Sequence, residues 1–146
     1  MCRIATIMAA IAMLVGCGSV NEEYGTEIVK SPDGRTILTF DINNEGEALY
    51  ALSFAGEEII RPSALNIETS RGEFDDDMHI VNIERNTFRE VWEPVWGQYA
   101  EIENHYNEMV VTLENSKLER VDVTFRLFDD GMALRYTLNG EGACDI

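Results

Sequence analysis

The chain has 146 residues and carries 27 acidic residues against 11 Lys and Arg, which gives a formal net charge of −16 at pH 7. Such an acidic surface disfavours binding to nucleic acid and to anionic lipid headgroups, so we expect no nucleic-acid partner. Hydrophobic residues make up 45% of the chain, which excludes wholesale disorder and is enough for one domain with a core.

The first 16 residues have the pattern of a lipoprotein signal peptide. Arg3 supplies a positive charge, and the run from Ile4 to Val15 is apolar apart from Thr6. This run is shorter than the roughly 20 residues that a membrane-spanning helix needs. It ends in Leu14–Cys17 (LVGC), which resembles the bacterial lipobox, where small residues precede a cysteine that is acylated. We therefore predict cleavage before Cys17 and a lipid on Cys17; an ordinary signal peptide with an incidental cysteine is the alternative.

The residues after Cys17 are small and polar up to Gly25, as is typical of a flexible tether. We accordingly divide the chain into a signal peptide (1–16), a tether (17–25) and one domain (26–146). Cys2 leaves with the signal peptide and Cys17 carries the lipid, so Cys144 has no partner within the mature chain. The sequence therefore predicts no intramolecular disulfide.

From residue 26 onward the chain is a succession of short strand patterns separated by turns. Ser31–Gly34 (SPDG) and Asp129–Gly131 (DDG) have the composition of tight turns. Residues 120–127 alternate polar and apolar side chains, and residues 134–138 continue this pattern after the second turn, which predicts a hairpin. Further strand patterns cover 27–30, 35–43, 48–55, 58–60, 65–69, a strand from about residue 80 and 109–113. No window of helical length shows a sustained apolar stripe without competing strand signals. The predicted fold class is therefore all-β, an antiparallel β-sandwich.

An acidic loop is predicted at Glu73–Asp77, with His79 two residues beyond it. Carboxylates and an imidazole could bind a cation there, or the segment could be a solvated connection in an acidic protein. The segment lacks the ligand spacing and the central glycine of an EF-hand loop. We therefore favour the solvated connection and assign no metal ligand.

The segment from Val91 to Glu108 concentrates aromatic, amide and carboxylate side chains, including both tryptophans of the chain. Pro94 cannot donate to a central ladder and Gly97 permits a sharp change of direction, so we expect a rim where a strand gives way to a loop. Aromatic rings beside polar groups suit sugars, whereas two tryptophans near a strand end also suit a core plug or a domain interface. The amides could instead satisfy backbone groups. The candidates for carbohydrate binding or a domain interface are Trp92, Glu93, Trp96, Tyr99, Asn104, His105, Asn107 and Glu108.

Four segments in the same order resemble the amino-terminal domain of glycoside hydrolase family 97, a family of bacterial α-glucosidases and α-galactosidases. They are Ser31–Phe40 (SPDGRTILTF), Trp92–Gly97 (WEPVWG), Glu103–Met109 (ENHYNEM) and Phe125–Tyr136 (FRLFDDGMALRY). The resemblance covers roughly residues 27–138. Gln98 and Glu103 depart from the usual family text, which has an acid and a base at these positions.

The resemblance implies a supersandwich-like β-sandwich that is incomplete here, because the family's sandwich is longer than this chain and is followed by a catalytic (β/α)₈ barrel. It also implies that the catalytic acid and base, and most ligands of the family's calcium, lie beyond residue 146. The chain length agrees with this implication, since a (β/α)₈ barrel alone needs roughly 250 residues. We therefore assign no catalytic residue and no cofactor to this chain. We expect a fragment that is inactive alone, with a true short paralogue as the alternative. A half sandwich is expected to leave an unpaired strand edge that promotes self-association.

Two functions follow as alternatives. The first is a non-catalytic domain of a lipid-anchored family 97 enzyme that degrades α-glucans or α-galactosides, with the catalytic barrel as its partner. The second is a free-standing, lipid-anchored carbohydrate-binding module with Trp92, Trp96 and His105 as its platform for α-linked oligosaccharide or polysaccharide. Both imply the cell envelope of a Gram-negative bacterium, in the periplasm or at the outer membrane.

Overall fold

The computed structural model describes residues 24–69, 72–75, 77–96 and 101–138. Within these ranges all regular structure is β, which confirms the predicted fold class. No helix in the described part of the chain has the length and apolar character needed to cross a membrane. The strands are β1 (Glu27–Lys30), β2 (Thr36–Ile42), β3 (Ala48–Phe54), β4 (Glu57–Ala64), β5 (Ile67–Thr69), β6 (Gly72–Phe74), β7 (His79–Trp92), β8 (Ile102–Glu114), β9 (Arg120–Phe128) and β10 (Gly131–Leu138).

Two four-stranded antiparallel sheets carry the fold. The first has the strand order β1-β2-β3-β4 and the second the order β10-β9-β8-β7, and β5 and β6 form a separate two-stranded sheet. Strands that are adjacent in the sequence are adjacent in each sheet, so each large sheet is a simple up-and-down meander. Cys17, most of the tether, Gln98, Tyr99 and Cys144 lie outside the described residues.

The core lies between the two large sheets and is built from alternate residues of their central strands. Leu38 and Phe40 of β2 are fully buried, as are Met109 of β8 and Phe125 of β9. The rings of Phe40 and Phe125 meet across the sheets with centroids 5.7 Å apart. Burial of each such side chain contributes about 1.5–3 kcal/mol, so this layer holds the sandwich together.

A polar contact joins the two sheets at one end of the sandwich. The backbone N–H of Asp33, in the β1–β2 turn, donates to Oδ1 of Asp129 in the β9–β10 turn over 2.8 Å. The Asp33 carboxylate accepts a hydrogen bond from the Ser31 hydroxyl and others from the backbone and side chain of Arg35, and these hold its pKa well below the ordinary value. The two turns therefore reverse the chain and also hold the two sheets together at this end.

The segment predicted as an acidic loop is partly a strand. Gly72–Phe74 forms β6 and pairs with β5, so the prediction of a loop from Glu73 is wrong for its first two residues. The physical reason is that Phe74 and the nearby Met78 are buried, so apolar residues anchor both ends of the acidic stretch.

Gly46 permits a close approach between the β2–β3 turn and the segment that precedes β7. Its φ is +81°, and an ideal Cβ there would lie 2.5 Å from the backbone nitrogen of Asp77. The approach is used, because the N–H of Met78 donates to the carbonyl oxygen of Gly46 over 3.0 Å. No side chain fits between these two backbones.

Gly46→Ala is therefore expected to destabilise the domain by about 1–3 kcal/mol more than Gly34→Ala. Gly34 is a matched control, because its φ is also positive (+75°) but its Cβ would meet open space. Both variants carry the left-handed backbone cost of about 1–2 kcal/mol, and only Gly46→Ala adds the clash. Urea unfolding of both variants measures the difference, and equal losses would show that the Asp77 contact is unimportant.

Candidate functional site

The hairpin of β7 and β8 extends beyond the sheet to which it belongs. β7 pairs with β8 along its length, from His79 opposite Glu114 to Trp92 opposite Ile102. β9 pairs with β8 only between Asn107 and Glu114. The part of the hairpin beyond Asn107 is therefore flanked by no third strand among the described residues. We call residues 88–96 and 101–106 the hairpin arm.

The end of the hairpin arm exposes large apolar side chains. Trp92 is 47% exposed, Val95 93% and Trp96 88%. Pro94 lies two residues beyond Trp92, where β7 ends, as expected from its missing N–H. The interpretation of the two tryptophans as a core plug is therefore wrong, because the arm reaches past the residues that form the core.

Strand alternation places the predicted site residues on two different faces of the hairpin. Asn104 and Glu108 share the outer face of the sheet with Trp92, which pairs with Ile102. His105 and Asn107 lie on the opposite face, which is the face of the buried Met109. The structure thus separates His105 from Trp92 instead of bringing them onto one platform. Glu93 is exposed just after β7, and Tyr99 lies outside the described residues.

An aromatic row fixes the outer face at the root of the hairpin arm. Tyr106 stacks on Phe88 of β7 with ring centroids 5.2 Å apart, and Phe128 of β9 lies 5.2 Å away on its other side. The guanidinium of Arg126 lies over the Tyr106 ring, 4.7 Å from its centroid. Tyr106 is buried as a result.

Glu108 orients the cation that covers this row. Its Oε2 accepts a hydrogen bond from Nε of Arg126 over 2.6 Å, and this bond raises the pKa of Arg126 above the ordinary value. Glu108 therefore serves the packing of Tyr106 in this structure. Sequence reasoning singled out Glu108 and missed Phe88, Arg126 and Phe128, because only the register of β7, β8 and β9 brings these residues together.

The opposite face of the hairpin is tied to the first sheet. Nδ2 of Asn107 donates to the backbone carbonyl of Lys30 over 2.8 Å, and the hydroxyl of Thr87 donates to Oδ1 of Asn107 over 2.8 Å. Arg85 forms an ion pair with Glu27 beside them. Asn107 thus satisfies a backbone group, which was one of the predicted roles for the amides, and a groove of about 290 Å³ remains between β1 and the hairpin.

No three His, Cys, Asp or Glu side chains converge as a metal site in the described ranges. Two carboxylates of β8 are instead engaged by arginines, Glu103 by Arg89 and Glu108 by Arg126. The described part of the hairpin arm therefore offers an exposed apolar surface on a root that is held by packing and hydrogen bonds.

Comparison with known proteins agrees with this architecture. The family model described as "Glycosyl-hydrolase 97 N-terminal" matches residues 29–146, which confirms the resemblance found in the sequence. A solved β-arabinopyranosidase has a TM-score of 0.73 and 27% identity, with 80% of this chain and 18% of that chain covered. A family 97 enzyme from Pseudoalteromonas sp. strain K8, solved with panose and with acarbose, has a TM-score of 0.72 and 24% identity, with coverage of 79% and 18%. The chain thus corresponds to about a fifth of each of these proteins.

The Glu108–Arg126 ion pair at the root of the hairpin arm is less exposed than the Glu103–Arg89 pair. Two Glu→Gln variants are therefore expected to differ in melting temperature. Glu108→Gln removes a charge whose side chain is 14% exposed, so it is expected to lower the melting temperature by roughly 3–6 °C. Glu103→Gln removes the matched partner of Arg89 at 48% exposure, where solvent screens the pair, and is expected to change it by less than about 1 °C. Thermal unfolding by circular dichroism compares them, and equal shifts would refute the structural role of Glu108.

Proposed function

Because the chain belongs to the Glycosyl-hydrolase 97 N-terminal family, we propose that it is the non-catalytic leading domain of a lipid-anchored glycoside hydrolase. In this proposal the enzyme degrades α-glucans or α-galactosides, and the hairpin arm packs against the catalytic barrel and frames its active site. In this proposal the acid and base of the reaction come from that barrel, as do most ligands of the family's calcium.

The observation that carries the proposal is the exposed end of the hairpin arm. Monomeric proteins rarely leave contiguous large apolar side chains in water, and such patches mark interaction sites. Val95 and Trp96 are almost fully exposed and follow the half-exposed Trp92 within four residues of the chain. Tryptophan is enriched among the residues that dominate protein interfaces, so these side chains suit a protein surface as their partner.

The root of the hairpin arm supports the same role. The Tyr106 row holds one face and the Asn107–Lys30 hydrogen bond holds the other, so the arm is fixed in direction before any partner binds. An ordered arm loses little conformational entropy on docking. A contact of this kind positions a second domain reproducibly, which is what framing an active site requires.

Support for an oligosaccharide substrate comes from the solved relatives. The Pseudoalteromonas enzyme was solved in complex with panose and with acarbose, and the other neighbour is a β-arabinopyranosidase. The narrower assignment to α-glucans or α-galactosides rests on the family resemblance of the sequence.

Binding of this chain to a family 97 catalytic barrel that lacks its own amino-terminal domain tests the proposal. We expect measurable binding by calorimetry and a loss of roughly tenfold or more in affinity for Trp96→Ser, because a central interface tryptophan contributes about 2 kcal/mol or more. Leu118→Ser is the matched control: Leu118 is 76% exposed but lies in the β8–β9 turn, at the opposite end of β8. Equal losses for both variants, or no binding, would contradict the proposal.

The carbohydrate-binding alternative is distinguished with the same proteins. The exposed Trp96 ring favours it, whereas the placement of His105 on the face opposite Trp92 does not. Under the main proposal, millimolar maltooligosaccharide leaves the tryptophan fluorescence of the chain alone unchanged. A saturable change that Trp96→Ser abolishes would support the binding module instead.

If the chain is anchored by a lipid on Cys17, this residue determines whether the chain is found in the membrane fraction. Cys17→Ser is expected to move the chain from the membrane fraction to the soluble fraction of a Gram-negative host, because multiple acylation at a lipobox cysteine anchors firmly. Cys144→Ser is the control and should leave the distribution unchanged. Retention of Cys17→Ser chain in the membrane fraction would contradict the anchor.

A further inference from the structure

One arginine on the outer face of the second sheet is held by a carboxylate and an aromatic ring together. Tyr106 and Glu108 are two residues apart on β8, so their side chains lie on the same face, about 6.6 Å apart along the strand. Glu108 accepts a hydrogen bond from Nε of Arg126, and the guanidinium lies 4.7 Å from the centroid of the Tyr106 ring. The carboxylate and the ring thus attract the same cation.

The same combination recurs beside the first sheet. The Asp33 carboxylate accepts a hydrogen bond from Nε of Arg35, and the guanidinium of Arg35 lies 5.2 Å from the centroid of the Phe54 ring. In both places the carboxylate orients the guanidinium and the ring lies against it. This chain therefore fills a carboxylate beside an exposed or partly exposed ring with an arginine twice.

A third carboxylate of this kind lies on the outer face of the hairpin arm. Phe88, Glu90 and Trp92 alternate along β7 and share one face, so Glu90 is about 6.6 Å along the strand from each aromatic residue. Asn104 lies directly opposite Glu90 on β8. We call Phe88, Glu90, Trp92 and Asn104 the Glu90 site.

The groups of the Glu90 site are accessible. Its two rings are 40% and 47% exposed, and Glu90 itself is exposed. Neither Glu90 nor Asn104 forms an ion pair or a side-chain hydrogen bond with another described residue. The inner face of the same stretch differs, because Arg89 there donates to Glu103 over 2.7 Å. The outer face therefore keeps a carboxylate and two rings for a cation from outside the described residues.

We propose that the Glu90 site binds the guanidinium of an arginine on the catalytic barrel when the hairpin arm docks, an inference that rests on the function proposed above. Glu90 accepts hydrogen bonds from the guanidinium, the side-chain oxygen of Asn104 accepts another, and the rings of Phe88 and Trp92 flank it. An ion pair that docking buries loses hydration, and the additional acceptor and the two rings offset this loss.

The charge of the chain and the chemistry of the site both favour arginine. A net charge of −16 is complementary to a basic group on the partner surface. A guanidinium can bond two acceptors at its edge while its flat faces stack on rings, whereas the ammonium of lysine is compact and strongly hydrated. The two filled examples in this chain both hold arginine.

Two Glu→Gln variants separate this contact from general electrostatics. Glu90→Gln keeps the shape of the side chain and removes its charge, and is expected to lower the affinity for a family 97 catalytic barrel without its own amino-terminal domain at least about tenfold. Glu84→Gln is the matched control, because Glu84 is an exposed carboxylate on the same face of β7, six residues toward the other end. It makes the same change in net charge and is expected to alter the affinity by less than about twofold.

A double-mutant cycle with Trp92→Leu tests whether the carboxylate and the ring hold the same group. If one guanidinium contacts both, the loss of affinity in the double variant is expected to be at least about threefold smaller than the product of the two single losses. Independent contacts would instead give the full product.

Calorimetry of the full chain with the barrel measures these affinities, in the Cys17→Ser background and mild non-ionic detergent. Glu90→Gln is expected to leave the melting temperature of the chain unchanged, which also checks that the variant is folded. A loss specific to Glu90→Gln, coupled to Trp92→Leu, supports the proposal. Equal affinities of Glu90→Gln and Glu84→Gln, or the full product in the cycle, would overturn the Glu90 site and leave docking of the arm in place. Absence of binding by the wild type would overturn the proposed function and this inference with it.

Discussion

The difference in length between β8 and β9 is the constraint that determines which part of the hairpin is exposed. β8 has 13 residues and β9 has nine, and the ladder between them begins only at Asn107. Where β9 covers β8, alternate residues are buried and form the core. Where β8 continues alone with β7, the same alternation leaves Phe88, Val91 and Trp92 exposed, because no second sheet or third strand of the described residues covers them. One hairpin is thus a core element at one end and an exposed apolar surface at the other.

The sandwich makes that exposed arm useful by holding its root. The Phe40–Phe125 layer fixes the two sheets against each other, and the Asp33–Asp129 contact joins their turns at one end. The Asn107–Lys30 hydrogen bond then ties the hairpin to the first sheet at the point where the arm begins. These contacts set the direction of the arm relative to the core. An element held in this way suits a domain that positions another domain in a larger enzyme.

The sequence alone predicted the strands whose side chains alternate cleanly, such as the stretch from Met109 to Leu113 and the hairpin around Asp129–Gly131. It also predicted the family, because the WEPVWG and ENHYNEM segments are specific. It did not predict β6, since Phe74 is the single apolar residue within the acidic stretch from Glu73 to Asp77. The separation of His105 from Trp92 was also missed, because which side chains share a face depends on the pairing of β7 with β8. Contacts such as Arg126 over Tyr106 depend on the register between β8 and β9.

Hydrogen exchange of the backbone amides tests most directly whether the hairpin arm is a docking element. In the chain alone, the amides of residues 109–113 are expected to exchange slowly. Those of residues 88–92 and 102–106 are expected to exchange faster, since β9 does not extend along them. Addition of a family 97 catalytic barrel is predicted to slow exchange in the hairpin arm and to leave the β8–β9 turn unchanged. If exchange in the arm stays the same while the barrel binds elsewhere, the arm is not the docking element and the account is contradicted.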